Sequence, residues 1–242
     1  MISIHNIKAI AFDLDGTIYY GNQAIDGAAE TIEYLKNKGI KVFYFTNNST
    51  KTREQIYSKL KGMGLDLSLD TVYTSAYATA FYCKESQLDS VYCIGSDGLI
   101  SELNGHGIST NNEKVKAVIV GLDFNINYDK IATALLHLQN GCKLINCNQD
   151  KNYPVEGGRL MPGCGAMTAA ISGAYDKDID FIVGKPNTYM IELLANKHGY
   201  GNKDILVVGD SLDSDIEMAN RFGCKSILVT KDNSIKQFRN CF

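Results

Sequence analysis

The chain has 242 residues, 45% of them hydrophobic and 21% charged, with 22 Gly, 3 Pro and a formal net charge of -3. That is ordinary globular composition, long enough to bury a core without staples as one large domain or two moderate ones. It excludes a collagenous or disordered chain, and the lack of a basic block speaks against nucleic acid or an anionic membrane surface as partner. No run approaches the roughly 20 apolar residues that span a bilayer. MISIHNIKAIAFDLDG turns acidic before a signal-peptide core develops, so a cytoplasmic protein is expected. Seven cysteines (83, 93, 142, 147, 164, 224 and 241), odd in number and without a C-x-x-C pair, read as reduced core residues rather than disulfides or a zinc site.

In chain order, a buried strand is predicted over 7–13 (IKAIAFD), a helix over 27–38, a strand over 40–46 (IKVFYFT) and a helix over 52–61. The middle repeats the theme with strands at 91–95, 117–122 and 143–147 and helices at 97–104 and 128–139. A long irregular stretch over 148–165 is either a functional loop or a hairpin. Strands at 181–184 (FIVG) and 205–209 (ILVVG) follow, grouped with 7–13 and 40–46, with helices at 187–198 and 213–222. Near-continuous apolar strands alternating with amphipathic helices indicate an α/β fold with a doubly wound parallel sheet.

Four short stretches at strand ends carry the chemistry. In open α/β sheets ligands gather at the carboxyl edge, so these stretches should converge. Asp13 and Asp15, in DLDGT, supply two carboxylates suited to nucleophile and general acid/base, or they form an Asp/Gly turn. Thr46-Asn47-Asn48-Ser49 is either a phosphate cradle or, through Ser49 and Thr50, a helix N-cap. Lys185, in GKP, is either fixed positive charge for a phosphoryl group or a solvated surface lysine. In GDSLDSD, Asp210 suits a divalent cation of the Mg²⁺ kind, while Asp213 reads as a helix N-cap.

The ordered set resembles the haloacid dehalogenase superfamily: DLDGT its first motif, FTNNS its second, the Lys of VGKP its third and GDSLDSD its fourth. The spacing of the second and third motifs and the PGCGAMTAAI stretch are similar to the NagD and 4-nitrophenyl phosphatase branch. The resemblance implies a catalytic core over 1–79 and 179–242 with a smaller α/β cap inserted over 80–178. It further implies a Mg²⁺-dependent phosphatase acting on small organic phosphates such as nucleotides, sugar phosphates, phosphoglycolate or aryl phosphates. Asp13 would be the nucleophile and Asp15 the acid/base; Thr46, Asn47, Asn48 and Lys185 would hold the phosphoryl group. Asp13, the Asp15 carbonyl and Asp210 would hold the metal, with Asp215 behind them. Tyr153, before the proline of the cap loop, would either reach substrate or pack the loop, and the glycines of 162–166 would serve a tight turn and close helix packing. Members often pair through the cap, which implies a possible homodimer. Ser211 stands where many members carry Arg or Asn.

Two rival readings differ in class. A receiver-type phosphoacceptor domain shares an acidic Mg²⁺ site, Thr and Lys, but needs only about 120 residues and explains neither Asp15 nor the second half of the chain. A non-catalytic phosphometabolite sensor could keep the fold, yet binding alone has no use for Asp15.

Overall fold

The runs AIAFD, KVFYFT and ILVVG become the central strands of a five-stranded sheet. The computed structural model describes residues 6–110, 114–155, 158–176, 178–230 and 234–236. The chain divides into two units: Met1–Thr46, Glu54–Tyr73 and Lys185–Phe242 form the first, Asn47–Arg53 and Thr74–Gly184 the second. The second unit is therefore wider than the stretch 80–178 expected for an inserted domain.

In the first unit β1 (Ala9–Asp13) lies parallel between β12 (Ile205–Gly209) and β4 (Lys41–Thr46). β13 (Lys225–Leu228) and β5 (Val72–Thr74) complete the order β13-β12-β1-β4-β5. Every residue of β1 is buried, as expected of a parallel strand covered on both faces. Ile10, Phe12, Val42 and Tyr44 pack with Ile32 and Leu35 of α1 (Ala28–Asn37) and Ile56 and Leu60 of α2 (Arg53–Gly62). On the alternate positions, Phe45 stacks on Tyr73 and Phe43 packs against His198 of α7 (Tyr189–His198). A short hairpin, β2 (Tyr19–Tyr20) and β3 (Gln23–Ala24), follows β1, and α8 (Glu217–Phe222) precedes β13.

The second unit has its own parallel sheet in the order β11-β8-β7-β6, built from β6 (Val91–Ile94), β7 (Ala117–Val120), β8 (Lys143–Asn146) and β11 (Phe181–Ile182). Its helices are α3 (Ser75–Glu85), α4 (Asp97–Gly105), α5 (Tyr128–Gln139) and α6 (Cys164–Tyr175). Grouping 181–184 with the first sheet is corrected here: Phe181 pairs with Ile145, and its ring stacks on Tyr82 of α3 at 4.2 Å. A short apolar run shows that a strand exists but not which sheet receives it. The irregular stretch contains a hairpin, β9 (Asn152–Pro154) and β10 (Leu160–Pro162).

Six cysteines are free, and burial pushes the thiols of Cys83 and Cys93 up to about 12, which makes them inert. Cys241 lies outside the described residues. Among the described residues no helix is long and apolar enough to cross a membrane.

Ile10 is fully buried at the centre of the first sheet. Truncating it leaves a cavity as well as losing apolar contact, so Ile10→Ala should cost about 2–5 kcal/mol. Urea unfolding reads this as a lower midpoint; an unchanged midpoint would contradict the packing described.

Candidate active site

Strand register positions the first group of acids. Phe12 pairs with Val208 on one side and Tyr44 on the other, and Asp13 pairs with Phe45. Asp13, Thr46 and Asp210 therefore leave three adjacent parallel strands at the same carboxyl edge. At Gly16 the backbone takes φ +89°, a left-handed conformation that suits glycine, and a Cβ there would collide with the Asp210 carboxylate. A Cβ on Gly209 would strike the carboxylate of Asp215 in the same way. The two glycines make room for the acids.

Asp215 is delivered by a wide helical turn, Leu212–Ile216, in which the Ile216 N–H reaches back to the Ser211 carbonyl. The side chain of Ser211 accepts from the Ser214 N–H at 3.3 Å. Ser211, and not Asp213, is the N-cap of this turn, because Asp213 lies inside it. The Ser211 N–H donates to Asp215 Oδ2 at 3.2 Å, which fixes the carboxylate.

Lys185 ties the cluster together. Its ammonium donates to Asp13 Oδ1 at 2.5 Å and to Asp215 Oδ1 at 2.6 Å, and it is only 3% exposed. The solvated-lysine alternative is thereby excluded. Ligand oxygens of Asp13, Asp210 and Asp215 lie within 4.8 Å of one another. Three carboxylates thus face a single ammonium. Burial pushes the Asp13 carboxyl well up, and Asp215 and Asp210 add to this against the pull of Lys185. Asp210 is raised by burial and then by Asp215. Burial acts to lower Lys185, but the two carboxylates outweigh it and hold the ammonium well above the ordinary lysine range. The lysine is charged and the acids remain under-compensated. An all-oxygen donor set short of positive charge fits a hard divalent cation such as Mg²⁺.

Asp15 stands apart from this cluster in character: it is exposed, and its Oδ2 accepts from the buried Tyr19 hydroxyl at 2.9 Å. Burial, followed by the Asp15 charge, raises the phenol well above its usual range. Sequence reasoning missed Tyr19. The chain winds one turn after Leu14, whose carbonyl accepts from the N–H of Ile18 and Tyr19, and so returns residue 19 to residue 15. The i, i+4 spacing was the available signal, but a turn containing Gly16 hides it.

Thr46, buried, ends β4 in the first unit, while Asn47, Asn48 and Tyr153 belong to the second. The Asn47 amide donates to both oxygens of the Asp150 carboxylate at 3.2 Å. Its backbone carbonyl accepts from the Asn148 amide and the Ser75 hydroxyl, both at 2.7 Å. Asn48 Oδ1 takes the N–H groups of Thr50 and Lys51. Ser49 Oγ accepts instead from the Leu122 N–H, and the N–H of Arg53, at the start of α2, goes to Glu102, so neither Ser49 nor Thr50 caps that helix. Tyr153 sits half-buried on β9 opposite Met161. A Cβ on Gly165 would press on the Gln149 carbonyl, so this glycine permits close approach of the loop to α6.

Comparison with known proteins adds a second line. Residues 10–109 match the family model of haloacid dehalogenase-like hydrolases, and residues 182–237 match a second model of HAD-like hydrolases. The chain is 43% identical over 213 residues to an acid sugar phosphatase of Staphylococcus saprophyticus subsp. saprophyticus, spanning 87% of this chain and 82% of that one. It is 42% identical over 224 residues to the acid sugar phosphatase of Staphylococcus aureus, spanning 92% and 86%. Among solved structures, the 4-nitrophenylphosphatase of Thermotoga maritima superposes with TM-score 0.90 at 29% identity, covering 96% of this chain and 88% of that one. NagD of E. coli K-12 superposes with TM-score 0.85 at 31% identity, covering 93% and 88%.

Removing one partner of a buried ion pair costs about 3–5 kcal/mol. Lys185→Met should therefore destabilise the metal-free protein by that order, and added Mg²⁺ should recover part of the loss in thermal unfolding. Unchanged stability without metal would show that Lys185 does not hold the two acids.

Proposed function

Because the chain belongs to the haloacid dehalogenase-like hydrolases, on their NagD-like branch, we propose that it hydrolyses small organic phosphate monoesters through an aspartyl phosphate on Asp13. The observation that carries this reading is the convergence of Asp13, Asp210 and Asp215 around the buried Lys185. Lys185 occupies Asp13 Oδ1, which leaves Oδ2 as the attacking oxygen. A bond forms from that oxygen to phosphorus as the ester P–O bond breaks, and Asp15 gives its proton to the departing alkoxide. Water then attacks the same phosphorus, the bond to Asp13 breaks, and Asp15 takes the proton from the water. The Thr46 hydroxyl would steady a phosphoryl oxygen, and Lys185 would balance charge on nucleophile and phosphoryl group.

Asp13, Asp210 and the Asp15 carbonyl would hold Mg²⁺. Asp215 would stay behind them, since both its oxygens already accept hydrogen bonds. The cation supplies the positive charge that lets an anionic nucleophile meet an anionic phosphate. In the second unit, read as the cap, Asn47 and Asn48 have their described amide contacts within that unit, and Tyr153 is the residue proposed to face the leaving group. The names of the relatives make sugar phosphates and 4-nitrophenyl phosphate the first substrates to try. A cytoplasmic setting suits the free thiols.

Asp13→Asn should lower turnover of both substrates by more than about 10³-fold without changing the circular dichroism spectrum; near-normal turnover would contradict the nucleophile assignment. EDTA should silence the wild-type protein and excess Mg²⁺ restore it. Activity that survives exhaustive chelation would contradict the metal's part.

A further inference from the structure

Asp15 has two oxygens and can serve as acid and base only if one of them is reliably presented to the reacting atoms. Its side chain is exposed, so nothing buries it into one orientation. What it does have is the Tyr19 hydroxyl on Oδ2 at 2.9 Å. Tyr19 itself is 1% exposed and held at its backbone as well: its carbonyl accepts from the Gly16 N–H at 2.9 Å, and residues 15 and 19 form an isolated bridge. The Lys59 ammonium lies 3.4 Å from the centre of the Tyr19 ring. A cation on the ring face draws electron density from the phenol and strengthens its O–H as a donor.

We infer that Tyr19 is a positioning residue for proton transfer, clamping Asp15 Oδ2 so that Oδ1 alone exchanges protons with the leaving alcohol and the attacking water. This rests on the phosphatase reading above. The phenol donates to Oδ2 whether Asp15 carries its proton on Oδ1 or has given it away, so Tyr19 neither gains nor loses a proton over the cycle. The leaving oxygen takes the Oδ1 proton as its bond to phosphorus breaks, and water later returns one to Oδ1. The clamp therefore matters in proportion to how much the leaving group needs protonation. An alkyl phosphate such as a sugar phosphate needs it fully, whereas 4-nitrophenolate departs without help.

Tyr19→Phe removes one oxygen and keeps the buried ring beneath Lys59, so the fold has no reason to change; thermal unfolding checks this. First-step rates are read separately from turnover, as the nitrophenolate burst for the aryl ester and by single-turnover quench for a sugar phosphate. The variant should lose roughly 10- to 100-fold on the sugar phosphate, a part of the roughly 10²- to 10⁴-fold that general acid catalysis contributes, and less than about 3-fold on the aryl burst. In an Asp15→Asn background, adding Tyr19→Phe should change neither rate further, because the two act as one unit. Equal loss on both substrates, no loss on either, or additive loss in the double variant would overturn the assignment while leaving the phosphatase reading intact. A wild-type protein that hydrolyses neither ester would take both readings down together.

Discussion

Everything at the active edge depends on one buried ammonium shared by two carboxylates. Lys185 sits between Asp13 and Asp215 at hydrogen-bond distance, with almost no solvent to screen it. A carboxylate in that position is costly unless compensated, and a single positive charge does not compensate three acids. The deficit is the useful property. It makes the cluster an acceptor for a further cation.

The fold supplies this arrangement through simple means. Parallel register brings the ends of β1, β4 and β12 to one edge, and the wide turn beyond β12 carries Asp215 back under it. Gly16 and Gly209 leave the space that Asp210 and Asp215 fill. Asp15, one residue beyond the buried Leu14, escapes to the surface, where the acid and base role proposed for it could be exercised. Two acids two positions apart thus acquire opposite characters: one buried and ion-paired, the other exposed and held by a phenol.

Much of this was legible in the residues. The three central strands of the first sheet, β1, β4 and β12, announced themselves as unbroken apolar runs, since burial on both faces removes alternation, whereas the short flanking strands β5 and β13 did not. The acids and Lys185 could be placed at strand ends for the same reason. Other parts lacked a signal. Helix α3, SAYATAFYCKE, is buried on nearly all sides and so has no amphipathic stripe to detect. The hairpin at Tyr19–Ala24 has two residues per strand, too few for any periodicity. The strand before Lys185 was seen, yet its pairing with β8 was not, because sheet membership is a long-range choice. The engagement of Asn47 by Asp150 joins positions 103 residues apart and has no local trace.

The central claim, that Asp13 becomes covalently phosphorylated during turnover, is tested most directly by mixing the Mg²⁺-loaded protein with a phosphate-labelled ester, quenching in acid within milliseconds, and mapping the label by peptide mass spectrometry. The account predicts label on the peptide that carries Asp13, lost on treatment with hydroxylamine as an acyl phosphate is. Turnover without any protein-bound label, or label on another residue, would contradict it.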